Sequence, residues 1–140
     1  MSKTLKIVLI VIFICLVSAV IVLMHVFKKA DVSVGSKKAD INIEASALLK
    51  KFETNEDSAN NQYLNKIILV SGTVASLTKN DQGVSVYLKN KDDAAGVMCG
   101  FDKTTIDTTI VKTGVQINVK GICNGYNIDD VELSKCSLAK

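Results

Sequence analysis

The sequence predicts a mainly β domain, a five-stranded barrel preceded by an amphipathic helix and an N-terminal transmembrane helix. Three observations carry this reading. Apolar residues recur with a period of two in five short runs between Ile67 and Leu138, the signature of strands with one buried face. Two of these runs, IILVSGTV (67–74) and VQINVKGICNG (115–125), hold a glycine where a barrel strand must bend. Residues 7–27 form a single apolar stretch without Asp, Glu, Lys or Arg, long enough for a helix to cross roughly 30 Å of hydrocarbon.

The apolar stretch comes first in the chain. Ile7 to Phe27 is preceded by Lys3 and Lys6 and followed by Lys28 and Lys29. A cleavable signal peptide is the competing reading, and Val17-Ser18-Ala19 has the small residues a cut requires. The run nevertheless continues to Phe27, beyond the ~7–15 apolar residues of a signal peptide. Cys15 lacks the small residues that precede a lipid-modified cysteine. Residues 1–29 are therefore expected to be an uncleaved anchor with basic flanks. A short basic leader stays inside, which puts the domain outside the cytoplasm, periplasmic or on the cell surface.

The charge balance limits the partners. Seventeen lysines face fourteen acids, with no arginine, for a net +3. Four of those lysines flank the apolar stretch, so thirteen remain against all fourteen acids, a balance of −1 for the rest of the chain. Such a domain lacks the broad positive field of non-specific nucleic-acid binders. Without arginine it also lacks the planar fork that suits phosphate and guanine.

Residues 30–41 are small, charged and aperiodic, and read as a linker; residues 42–140 hold the helix and the barrel. From Glu44 to Tyr63 the period becomes helical. Ala45, Leu48, Leu49, Phe52, Ala59 and Tyr63 form a stripe, with Asn42 as the expected N-cap. The first strand follows at Ile67–Leu77, with Gly72 at a bend. A turn at Lys79–Gly83 leads to the second, where Val84, Val86 and Leu88 point inward and Tyr87 and Lys89 outward. Val97, Cys99 and Phe101 share one face of the third. Between Asp102 and Lys112, Ile106, Ile110 and Val111 suggest a short helix ended by Gly114. The fourth strand carries Val115, Ile117 and Val119. The fifth shifts its parity from Val131 and Leu133 to Cys136 and Leu138, which predicts a bulge near Ser134. Five strands with a helix between the third and fourth is the order of the OB-fold, a partly open Greek-key barrel.

These residues also resemble a known family. LLKKFETNEDSANNQYLNK (48–66) precedes I-x-V-S-G-T-V; V-x-C-x-F, K-x-G-x-x-x-x-V-K-G-x-C-x-G and V-x-L-x-x-C follow in order. Over about Ile43 to Leu138 the chain resembles the tRNA_anti-like family of bacterial OB-fold proteins, small proteins carried behind a signal or anchor segment. The resemblance implies fold similarity to anticodon-binding domains and brings no catalytic residues.

No constellation for chemistry stands out. Cys99, Cys123 and Cys136 are too widely spaced for a zinc site, and His25, the only histidine, lies in the apolar stretch. No metal or cofactor is expected. Without a histidine in the domain a cysteine nucleophile has no base. The three cysteines are either buried small hydrophobes or one disulfide with a free thiol. If a disulfide, Cys123–Cys136 is the expected pair, because neighbouring strands bring them near. Asp92-Asp93 and Asp129-Asp130 read as solvated turn residues. The usual OB-fold binding surface, strands two and three with the loops joining strands 1–2 and 4–5, nominates Lys79, Tyr87, Lys89 and Tyr126. The expected function is a non-enzymatic, membrane-tethered module of the bacterial cell envelope. It holds the membrane through residues 7–27 and binds a protein, peptide or small ligand. The alternative is a nucleic-acid-binding domain, in which the two tyrosines stack on bases.

Overall fold

The computed structural model describes residues 12–21 and 34–139, and the chain divides into two compact units, Met1–Val32 and Ser33–Lys140. Residues 12–21 are helical (α1), and Ser18 Oγ donates to the Cys15 carbonyl at 2.8 Å. No helix among the described residues is long and apolar enough to cross a membrane. The expected span over residues 7–27 lies for the most part outside the described residues.

The second unit opens with a one-turn helix at Val34–Ser36, whose Val34 is buried. Part of the stretch 30–41 is thus folded onto the barrel. Lys120 Nζ donates to the carbonyls of Gly35 (3.1 Å) and Lys37 (2.7 Å), and Asp40 N donates to Ile67 O at 2.8 Å. Strand β1 (Ile41–Glu44) then runs parallel to the start of β2 (Ile67–Lys79). It is not part of the five-strand expectation. Asn42, expected as an N-cap, lies in this strand. The cap of the following helix is Glu44, which makes no side-chain cap bond.

The single amphipathic helix of the sequence reading is two helices, α2 (Ala45–Thr54) and α3 (Glu56–Tyr63). Asn55 divides them. Its backbone is extended (φ −160°), and its side chain accepts from Ser58 N at 3.0 Å, capping α3. A residue that caps well competes with helix continuation, because its side chain offers the backbone an alternative partner. The buried stripe, Ala45, Leu48, Leu49 and Phe52 on α2 with Ala59 and Tyr63 on α3, is the expected one.

Strands β3 (Val84–Leu88), β4 (Val97–Phe101), β5 (Gln116–Asn127) and β6 (Asp130–Ala139) complete the sheet. The order β2-β3-β4-β6-β5 closes through pairing of β5 with β2, giving a five-stranded barrel with β1 added beside β2. β2 serves both halves: Ile67–Thr73 pair with β5, and after a bulge between Val74 and Ser76 its end pairs with β3. Gly72 lets the layers close at this point. A methyl there would lie 3.0 Å from Ala45 Cβ and 3.2 Å from Leu88 Cβ. Inside the barrel stand Ile68, Val70, Val86, Leu88, Val97 and Val119, and α2 covers them with Leu48 and Phe52. Among the described residues no polar or charged residue is buried.

Between β4 and β5 the expected helix is absent; residues 102–115 form turns. Side chains compete here for the backbone. Thr105 Oγ1 donates to Asp102 O (2.9 Å), while Asp107 Oδ1 accepts from Thr109 N (2.9 Å) and Thr109 Oγ1 (2.6 Å). The threonine bonds hold the Asp107 carboxyl below its ordinary range. Such local bonds, with the poor helix propensity of threonine, outweigh the short apolar stripe. Ile106 and Val111 are buried regardless.

Candidate functional site

The outer surface of β3 and β4 follows from the alternation that fills the barrel. Val86, Leu88, Val97, Cys99 and Phe101 point inward, so Ser85, Tyr87, Met98 and Gly100 point outward. Registers align these into rows. Ser76 faces Tyr87, Tyr87 faces Met98, and Met98 faces Glu132 across β4 and β6. Met98 is 39% exposed, an apolar side chain on an open strand surface.

Tyr87 is the best-fixed of the four nominated residues. Its hydroxyl donates to Asp130 Oδ1 at 2.6 Å, and the Gly96 amide donates to the same oxygen at 3.0 Å. Burial, then this carboxylate and that of Asp129, push the Tyr87 phenol up to about 12. Gly96 must be a glycine: a methyl there would stand 2.5 Å from Leu88 O and 3.0 Å from Tyr87 Cζ. The sequence reading made Asp130 a solvated turn residue. It is instead the acceptor that joins β3, the start of β4 and β6. A contact between residues so far apart leaves no local mark in sequence.

The other three nominated residues are placed differently. Lys89 Nζ donates to Ala94 O (3.1 Å), closing the β3–β4 turn. Lys79 is exposed at the end of β2, and its Nζ donates to Thr108 Oγ1 (2.8 Å). Beside it is a shallow depression of about 220 Å³ whose lining includes Asn80, Lys103 and Thr108. Tyr126, on β5, stacks on Phe52 of α2, with centroids 6.0 Å apart and planes at 11°. Burial and the carboxylates of Glu53, Asp129, Asp130 and Glu56 raise its phenol. Tyr87 and Tyr126 both feel the carboxylates of Asp129 and Asp130, while Lys79 stands with Lys103 at a separate loop cluster.

The cysteine that meets Cys136 is Cys99, where the sequence pointed to Cys123. The cysteines are free, Cys123 lies opposite Leu133, and the Cys136 thiol lies against Cys99. A bulge on β6 brings Cys136 into the same core that holds Cys99 and Cys123. Among the described residues no three His, Cys, Asp or Glu side chains stand together as metal ligands.

Comparison with solved structures finds a protein of similar fold and two weaker likenesses. A lipoprotein from Klebsiella pneumoniae subsp. pneumoniae MGH 78578, whose name proposes nucleic-acid binding, is 16% identical; the match covers 79% of this chain and 98% of that one, with a TM-score of 0.57. Asparaginyl-tRNA synthetase from Entamoeba histolytica is 12% identical over 53% of this chain and 20% of its own, at a TM-score of 0.42. Aspartyl-tRNA synthetase from the same organism is 14% identical over 74% of this chain and 26% of its own, at 0.39. No curated protein matches by sequence. The tRNA_anti-like family profile spans residues 1–138, helices and strands together, and the chain is a member of the tRNA_anti-like family of OB-fold domains.

Proposed function

We propose that this chain is a membrane-tethered OB-fold module of the bacterial cell envelope whose β3–β4 surface binds a protein or peptide. The observation that carries the reading is the Tyr87–Asp130 pair at the centre of that surface. The Tyr87 hydroxyl is engaged by a carboxylate, whose charge opposes a phosphate approaching the ring. Around it stand Met98, Ser76, Ser85 and Gly100, with Glu132 in the same row and Asp129 nearby. A patch edged by Asp129, Asp130 and Glu132, with Lys89 beside Tyr87, disfavours phosphate and suits a polypeptide with apolar and basic side chains. Tethering rests on the apolar stretch Ile7–Phe27 with its lysine flanks, and the like-folded Klebsiella protein is itself a lipoprotein.

A second reading, nucleic-acid binding, is favoured by the Lys79–Lys103 depression and by the name of the Klebsiella protein. Fluorescence anisotropy of the full chain in detergent, with single-stranded DNA and RNA at two salt concentrations, separates the readings. The expected result is no micromolar binding at either salt. Micromolar binding that weakens steeply with salt and is lost in Lys79→Ala would establish the second reading and overturn the first.

A further inference from the structure

Three cysteines reach the barrel interior, and two of them meet. Cys99 on β4 stands at the register position of Leu133 on β6. With regular alternation the next inward residue of β6 after Leu133 would be Lys135. Instead Lys135 adopts a left-handed φ of 51°, and pairing with β5 slips from Ile122–Ser134 to Lys120–Ser137. The extra residue turns Lys135 out and Cys136 in, to 1% exposure. Gly121 leaves the space that this requires. A methyl on it would come within 2.7 Å of Cys136 Sγ and 3.2 Å of Leu133 Cβ. Cys136 is thereby aimed across the β4–β6 seam at Cys99, which is 0% exposed in the same core. The two thiols are neighbours; their interaction, and then burial, push the Cys99 thiol well above its ordinary value. Cys123 is on the opposite edge of β6, facing Leu133 from β5.

The seam at this point is short. β4 and β6 pair through three positions only, Val97–Val131 to Cys99–Leu133, whereas the other seams of the barrel have at least five. Parallel pairing is also the weaker kind per residue. Cys99 belongs to the last of these pairs, and Cys136 follows its partner Leu133 by three residues on β6.

We propose that Cys99 and Cys136 form a disulfide when the chain folds in an oxidising compartment, locking the parallel seam and leaving Cys123 as a buried thiol. The oxidant is a disulfide: oxidised glutathione or the disulfide of a thiol oxidoreductase. One cysteine thiolate attacks it, forms a mixed disulfide and expels one thiol. The second thiolate displaces the remaining sulfur, so two protons and two electrons pass to the oxidant, which leaves as two thiols. Because both sulfurs are sealed in the closed barrel, exchange takes place before β4 and β6 are fully packed.

The test uses the full chain in detergent, reduced and unfolded, then refolded in a mixture of reduced and oxidised glutathione. Thiols are blocked with N-ethylmaleimide under denaturing conditions without reductant, and the peptides are mapped by mass spectrometry. The expected result is one linked pair, Cys99–Cys136, with Cys15 and Cys123 alkylated, and the same linkage in Cys123→Ser. Alkylation of every cysteine, or a bridge that includes Cys123, overturns the proposal. The readout is the thiols themselves and is independent of what the outer surface binds.

Discussion

The hydroxyl of Tyr87 and the carboxylate of Asp130 meet at 2.6 Å although 43 residues separate them. The bond bridges β3 to β6 over the start of β4, because the Gly96 amide shares the same oxygen. Three strands are held by one carboxylate. Tyr87→Phe is therefore expected to cost about 1 kcal/mol, the value of a partly exposed hydrogen bond, without changing the fold. Chemical denaturation with circular dichroism at pH 7 measures this directly. An unchanged midpoint would mean the bond does nothing for stability.

The same pair sets an alkaline limit. Tyr87 holds its proton to about 12 in the fold and to 10.0 as an ordinary phenol. The raised value stabilises the fold fully below pH 10, and that contribution is lost as the pH rises from 10 to 12. In Tyr87→Phe the fall over that window should be shallower. Tyr126, also raised, leaves a residual slope. Equal slopes in the two proteins would contradict the assignment.

Phe52 is 1% exposed and touches both Tyr63 and Tyr126, with ring centroids 6.1 and 6.0 Å apart. It joins α2 to α3 and to the barrel. Phe52→Ala should destabilise by about 3–5 kcal/mol, the range for a large aromatic in a packed core. A loss below about 1 kcal/mol in urea titration would show that the helices are dispensable to the barrel.

Gly121→Ala places a methyl 2.7 Å from Cys136 Sγ. Overpacking of this kind costs about 1–3 kcal/mol. In a Cys136→Ala background the sulfur is gone and the same change should cost less, a coupling that a double-mutant cycle reads. Equal costs in both backgrounds would place the strain elsewhere.

Ile128 sits at the β5–β6 hairpin tip with φ 58° and 87% exposure. A β-branched side chain is strained in that region by roughly 1–2 kcal/mol and gains nothing from burial. Ile128→Asn should raise stability by about 1 kcal/mol, measured as a higher denaturation midpoint.

The barrel was legible because its strands are half-buried and alternate. Even the fifth strand's change of parity marked the bulge that turns Cys136 inward. β1 was not legible, because Ile41-Asn42-Ile43-Glu44 is too short for its alternation to stand out from the helix that follows. Asn55 divided the helix through a capping bond that a hydrophobic stripe does not register. At the outer surface, alternation correctly turned Tyr87 outward, but its acceptor could be found only in three dimensions. The neighbour of Cys136 was likewise not legible. Strand order suggested Cys123 for Cys136, while β6 has β4 on its other side and Cys99 of that strand is the cysteine it meets.

The closing seam of the barrel joins Ile67 to Ile122, and β6 must lie between β4 and β5 before the ring is complete. No seam other than the β3–β4 and β5–β6 hairpins and the β2–β3 ribbon can form from chain segments adjacent in sequence. During synthesis, the first half of β2 can pair with β1 on one edge, while its other edge waits for β5. Such a topology is expected to fold on the millisecond-to-second scale of non-local β proteins. Chains cut short within β6 should be proteolytic fodder, not smaller barrels.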